Sequence, residues 1–131
     1  MREIRNTLLV GGSMHVGVFL VLIIYKVFSW HGFLAQDVHL WRILIFVLLA
    51  ITSFSFMLLF MSSLERKLNS IDSSVHDVVF ENGFFDYNSF SPLRFAFSKK
   101  SENNDINDAK TYAKRYYFLQ SFCFIYLWIL F

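Results

Sequence analysis

The side chains most able to do chemistry in this sequence are few and scattered. His15 is an ionisable group inside a long apolar run, from about Thr7 to Trp30. In a bilayer such a residue suggests either proton transfer or a specific polar contact with a neighbouring helix. A relay needs acidic partners, and no Asp or Glu lies within any of the long apolar runs, so a contact is the expected role. A lone histidine does not hold a metal tightly, and the single cysteine, Cys123, excludes an intramolecular disulfide or a zinc site built from thiolates. Cys123 reads as a small apolar packing residue.

Ser74, His76 and Asp77 have the residue types of a hydrolase triad. They are local neighbours on one amphipathic stretch, however, and nothing around them resembles a nucleophile elbow. Gln120 and Cys123, together with Ser53 and Ser55, could line a polar pathway, although isolated hydroxyls and amides in apolar helices more often join one helix to another. Gly11, Gly12, Ser13 and Gly17 put small residues on overlapping faces, and Ser13 and Gly17 have the small-xxx-small spacing that lets helices approach closely. No catalytic, cofactor or metal site is expected, and the chain reads as non-enzymatic.

The elements that would carry these residues are set by composition. Of 131 residues, 56% are hydrophobic, 20% aromatic and only 17% charged, with a mean hydropathy of +0.47. A soluble domain this small could not hide so much apolar surface. Uncharged runs alternate with one polar segment, the blockwise pattern of a membrane protein. The net charge of +2 comes from bases beside apolar runs and not from a basic stripe, which makes nucleic acid an unsuitable partner.

The expected fold is an all-α integral membrane protein with three spans, at about 7–30, 41–63 and 112–131. An N-terminal hairpin (1–63) and a C-terminal span (112–131) flank a partly helical segment (64–111). The first run is too long for a signal-peptide core and lacks a small-x-small cleavage site, so it is expected to be an uncleaved anchor. The second can cross a core of about 30 Å at about 1.5 Å per residue. Between them His31 to Leu40 form a short connection, with Gly32, Gln36 and Asp37 marking the turn. The third run is short in strictly apolar residues, and Tyr112, Tyr116 and Tyr117 would extend it at the interface. It reaches Phe131, whose carboxylate would lie at the far headgroups.

Orientation is read from the basic residues. Arg2, Arg5, Arg66, Lys67, Arg94, Lys99, Lys100, Lys110, Lys114 and Arg115 fall on one side, against Arg42 and Lys26 on the other. By the positive-inside rule the N-terminus and the middle segment are cytoplasmic and the C-terminus is outside. Trp30 and Trp41 flank the outer turn as interface anchors, and Lys26 can snorkel to that side.

In the middle segment, Leu64, Leu68, Ile71, Val75 and Val78 have the spacing of an a/d stripe, so the second span is expected to continue as a helix packing that stripe on a neighbour. Gly83 ends the pattern, and Phe84 to Pro92 reads as an irregular loop. Leu93, Phe95 and Phe97 alternate with smaller or polar residues. They could form a short strand, or a segment lying on the membrane with Lys99 and Lys100 at the headgroups, which is the favoured reading. Ser101 to Asp105 offers N-caps for a helix running from about Ile106 into the third span.

Phe80, Phe84, Phe85, Tyr87, Phe90, Phe95 and Phe97 form the cluster most suggestive of function. So small a segment is not expected to bury all of them alone, so they should enter lipid, pack on the stripe or meet a protein. The expectation is a small bacterial inner-membrane protein whose cytoplasmic segment contacts another membrane protein, or a further copy of this chain. It would be a subunit of an envelope, secretion or conjugation machine, or an exclusion or immunity factor acting on one. The alternative is an oligomeric pore or ion-conducting subunit.

Overall fold

The computed structural model describes residues 1–32 and 37–131, so Gln36 lies outside the described residues. The described residues are helical and contain no strand. Three long helices, α1 (Arg2–Trp30), α2 (Val38–Ile71) and α5 (Asn104–Leu130), form a bundle, and between α2 and α5 the chain makes two short helices, α3 (Ser73–Val79) and α4 (Phe90–Ala96). Contacts at both ends fix the directions. Arg66 of α2 pairs with Glu3 of α1, and Arg42 Nε donates to Tyr25 Oη at 3.1 Å, so these helices are antiparallel. Ser53 meets Gln120, and Phe60 stacks on Tyr116 with ring centroids 4.5 Å apart, while Phe46 meets Phe131, so α5 runs antiparallel to α2 and alongside α1.

Each long helix extends beyond its apolar run. α1 already begins at Arg2, α2 continues to Ile71, and α5 starts with Asn103 as its N-cap, the Asn103 Oδ1 accepting from the Asp105 N–H at 2.9 Å. Two helices, α1 and α2, are both long and apolar enough to cross a membrane, with mean hydropathies of 2.2 and 2.7 in their apolar stretches. α5 is long enough but less apolar than these two, a departure from the expected third span. Tyr116, Tyr117, Gln120, Ser121 and Tyr126 interrupt its apolar sequence, and Lys114 and Arg115 lie just before it.

The continuous stripe below α2 is also corrected. α2 stops at Ile71 because Asp72 adopts extended backbone (φ −157°, ψ 107°) and becomes the N-cap of α3, its carboxylate accepting from the Ser74 N–H at 2.9 Å. The Asp72 N–H still donates to Leu68 O, which closes the last turn of α2. The bend resets the phase: Leu64 and Leu68 are buried, Ile71 and Val75 are half-buried, and Val78 is exposed while Val79 and Phe80 take the inward positions.

Neither an irregular loop nor a strand occupies the aromatic stretch. Gly83, at φ +56°, opens a 3-10 turn through Asp86, and Ser89 caps α4 by accepting from the Ser91 N–H at 3.2 Å. Leu93, Phe95 and Phe97 therefore sit on and just after a helix, where alternation in sequence has no single face. α3, the turn and α4 form a cap against the end of α2 and the start of α5. One apolar core joins this cap to the bundle through Ile4, Phe56, Phe60, Leu64, Phe80, Phe95, Ile106 and Tyr116. A second core, including Leu22, Ile45, Leu49 and Tyr126, closes the opposite end.

Candidate functional site

The residues able to recognise something fall in two places, inside the bundle and on the cap. Within the bundle, the Gln120 side chain connects two helices: its amide donates to Ser53 O at 3.1 Å and to Tyr116 Oη at 3.2 Å, and its carbonyl accepts from Ser53 Oγ at 3.3 Å and weakly from Cys123 Sγ at 3.6 Å. α5 can place these groups together because Tyr116, Gln120 and Cys123 are four and three residues apart, on one helix face. Ser53 is thus satisfied by α5 and does not point to lipid. His15 is 4% exposed, packed edge-on to Phe56 and 5.7 Å from the Tyr126 ring, and its backbone carbonyl accepts from Tyr126 Oη at 3.3 Å. Neither ring nitrogen has a hydrogen-bond partner at normal distance among the described residues, although Gln120 is placed to offer one.

The small residues of α1 divide differently from the spacing. A Cβ on Gly11 would fall 2.0 Å from the Phe56 ring, so this glycine is where α1 and α2 need a missing side chain. Gly12 and Gly17 have open space at the same position, and Ser13 is exposed, its hydroxyl donating to Leu9 O at 3.0 Å. Nothing in the sequence separates Gly11 from its neighbours, since its partner lies on another helix.

On the cap, the triad residue types do not form a triad. Ser74 Oγ donates to Asp72 Oδ1 at 2.6 Å, whereas His76 Nδ1 lies 2.9 Å from Asp77 Oδ1. His76 instead belongs to a structural link. Its Nε2 is 3.5 Å from Glu65 on α2, and Glu65 accepts from Tyr87 Oη at 2.5 Å. Hydrogen bonding to Asp77, reinforced by Glu65 and opposed by burial, raises the His76 pKa above its ordinary 6.5. Burial first, and then the Glu65 carboxylate, push the Tyr87 phenol up to about 12, so it stays a donor at any ordinary pH. Glu65 was not singled out by spacing; its role depends on the bend at Asp72, which swings His76 beneath α2. The described residues hold no group of three or more His, Cys, Asp or Glu arranged to bind a metal ion.

The aromatic cluster is split by the fold. Phe80, Tyr87 and Phe95 are buried in the core shared with the bundle. Phe84, Phe85, Phe90 and Phe97 stay exposed, Phe85 at 83% and Phe90 at 75%, together with Val78 at 76%. Val78 and α4 are adjacent, because Ser91 Oγ donates to Val78 O at 3.0 Å. Phe97 lies under the Lys114 ammonium, 5.7 Å from ring centroid to nitrogen. A folded cap that leaves five large apolar side chains in the open has the character of a contact surface. No family model, curated protein or solved structure matches this chain.

Proposed function

We propose that this chain is a small, non-enzymatic protein of a bacterial inner membrane that crosses the bilayer three times and uses its cytoplasmic cap to contact another membrane protein. The observation that carries the reading is the exposure of Val78, Phe84, Phe85 and Phe90 on a cap whose fold is otherwise closed by its own aromatics. Large apolar side chains left outside a satisfied core are the usual anchors of a protein interface.

The third crossing is supported by how α5 distributes its side chains. Tyr116, Gln120 and Tyr126 turn toward α1 and α2, whereas Phe118, Phe124, Ile125, Trp128 and Phe131 face outward. At about 1.5 Å per residue, its 27 residues run roughly 40 Å. The orientation is supported by the up-down-up course of the long helices, which gathers Arg2, Arg5, Arg66, Lys67, Lys114 and Arg115 at the cap end and leaves Lys26 and Arg42 toward the other. As a machine subunit or as an exclusion or immunity factor, the protein would act by occupying a partner and not by chemistry. The pore alternative loses ground because Gln120 and Ser53 bond to each other within one chain.

In vivo photo-crosslinking from Phe85 and Phe90 tests the interaction. Phe95, being buried, is not a useful position. One membrane protein captured from both positions, and lost when Val78 is changed to Glu, supports the reading. Adducts only with lipid or with other copies of the chain would overturn it.

A further inference from the structure

Between α3, α4 and the first turns of α5 lies a groove of about 590 Å³. Its floor is apolar, formed by Val75, Val79, Phe95 and Ile106, and its two charged lining residues are both basic, Arg94 and Lys110. Lys110 is only 9% exposed. Its ammonium donates to Lys99 O at 2.6 Å and sits 5.5 Å from the centre of the Phe95 ring, and no carboxylate lies within ion-pair distance of it among the described residues. A buried ammonium without a counter-charge is costly, and proteins ordinarily pair such a group. Arg94, exposed at the mouth, has no hydrogen-bond or ion-pair partner among the described residues. Ser101 Oγ, also lining the groove, accepts from the Asn103 N–H at 3.2 Å and keeps its own hydrogen to donate.

We infer that this groove is a phosphate site: Arg94, Lys110 and Ser101 bind the phosphate oxygens, and the organic remainder of the ligand lies on the apolar floor. A planar guanidinium, a compact ammonium and a hydroxyl lining one concavity suit a tetrahedral oxyanion. The phosphate can come from an anionic phospholipid headgroup or from a soluble phosphate ester. The lipid source fits the position of the groove, since Lys114, one turn further along α5 from Lys110, covers Phe97 where the apolar part of α5 begins. Only that source rests on α5 crossing the bilayer.

The test uses the full chain purified in a neutral detergent and reads the melting midpoint against added phosphatidylglycerol, phosphatidylcholine and inorganic phosphate, with native mass spectrometry to count retained lipid. The wild type, Arg94→Gln and Ser101→Ala are compared; both changes are at groove positions outside the core, and each variant's midpoint without added ligand is the reference for its own response. An anionic lipid site gives a midpoint raised by phosphatidylglycerol more than by phosphatidylcholine, with apparent affinity about tenfold weaker in Arg94→Gln, as expected for one lost charge-assisted hydrogen bond. A soluble ester gives the same loss in Arg94→Gln with inorganic phosphate as the probe and no preference between the lipids. Equal responses of the wild type and both variants to all three probes would overturn the site. Because the readout is independent of crosslinks from Phe85 and Phe90, its failure and that of the interaction reading are distinguishable.

Discussion

At Gly11 one hydrogen atom decides how closely two helices approach. Any Cβ there meets the Phe56 ring at 2.0 Å, and Phe56 is fully buried against Phe60 and Tyr116, so it has little room to yield. Gly11→Ala is therefore expected to destabilise the protein by about 1–3 kcal/mol, the usual cost of overpacking. Gly12→Ala has open space and gains helix propensity, so its melting midpoint should hold or rise. Equal behaviour of the two variants in a detergent melting series would remove the special role of Gly11. His76 makes a second residue-scale prediction. Its folded pKa is raised, so the protonated form favours the fold: the contribution is fully present below the ordinary value of 6.5 and is lost as pH rises through the folded value. Melting midpoints of the wild type should fall across that window relative to His76→Gln, and parallel curves would remove the link. The sequence made His15, Gln120 and the glycines visible by type, but not their partners. Those partners sit on other helices, and spacing along one chain carries no information about them.

At the scale of elements, the three long helices were legible because apolar runs of that length have few alternatives. The bend at Asp72 was harder to read. Heptad spacing continues smoothly through it, and only the capping chemistry of an Asp followed by two serines marks the stop. The helix α4 is hidden in the sequence because its aromatic and small residues alternate, although Ser89 before Phe90 is a cap signal of the same kind. For α5, crossing the bilayer predicts a labelling pattern in a Cys123→Ala background. Cysteines at Phe124 and Trp128 should resist a membrane-impermeant maleimide on intact membranes, and one at Glu102 should react only after the cytoplasmic face is opened. Rapid labelling at Phe124 and Trp128 would place α5 in water and leave α1 and α2 as the only crossings.

At the scale of the molecule, cap and bundle share one core, and the aromatics of the cap divide between that core and the exposed surface. Phe80→Ala should cost about 3–5 kcal/mol, the range for deleting a buried aromatic, and should lower the melting midpoint of the whole protein. Phe85→Ala should leave the midpoint unchanged while reducing the yield of partner crosslinks from Phe90. The reverse assignment, a silent Phe80 and a critical Phe85, would mean that the cap is arranged differently. The shared core also sets an order on biogenesis. Ile4 and Leu8 come from the start of the chain, Leu64 and Leu68 from its middle, and Ile106, Ala109 and Tyr116 from its last helix, yet all close on the same interior. Until α5 is in place the cap lacks one wall, and Phe80 and Phe95 have no complete interior to enter. A chain truncated before α5 is therefore expected to behave as a chaperone client, its cap unable to close.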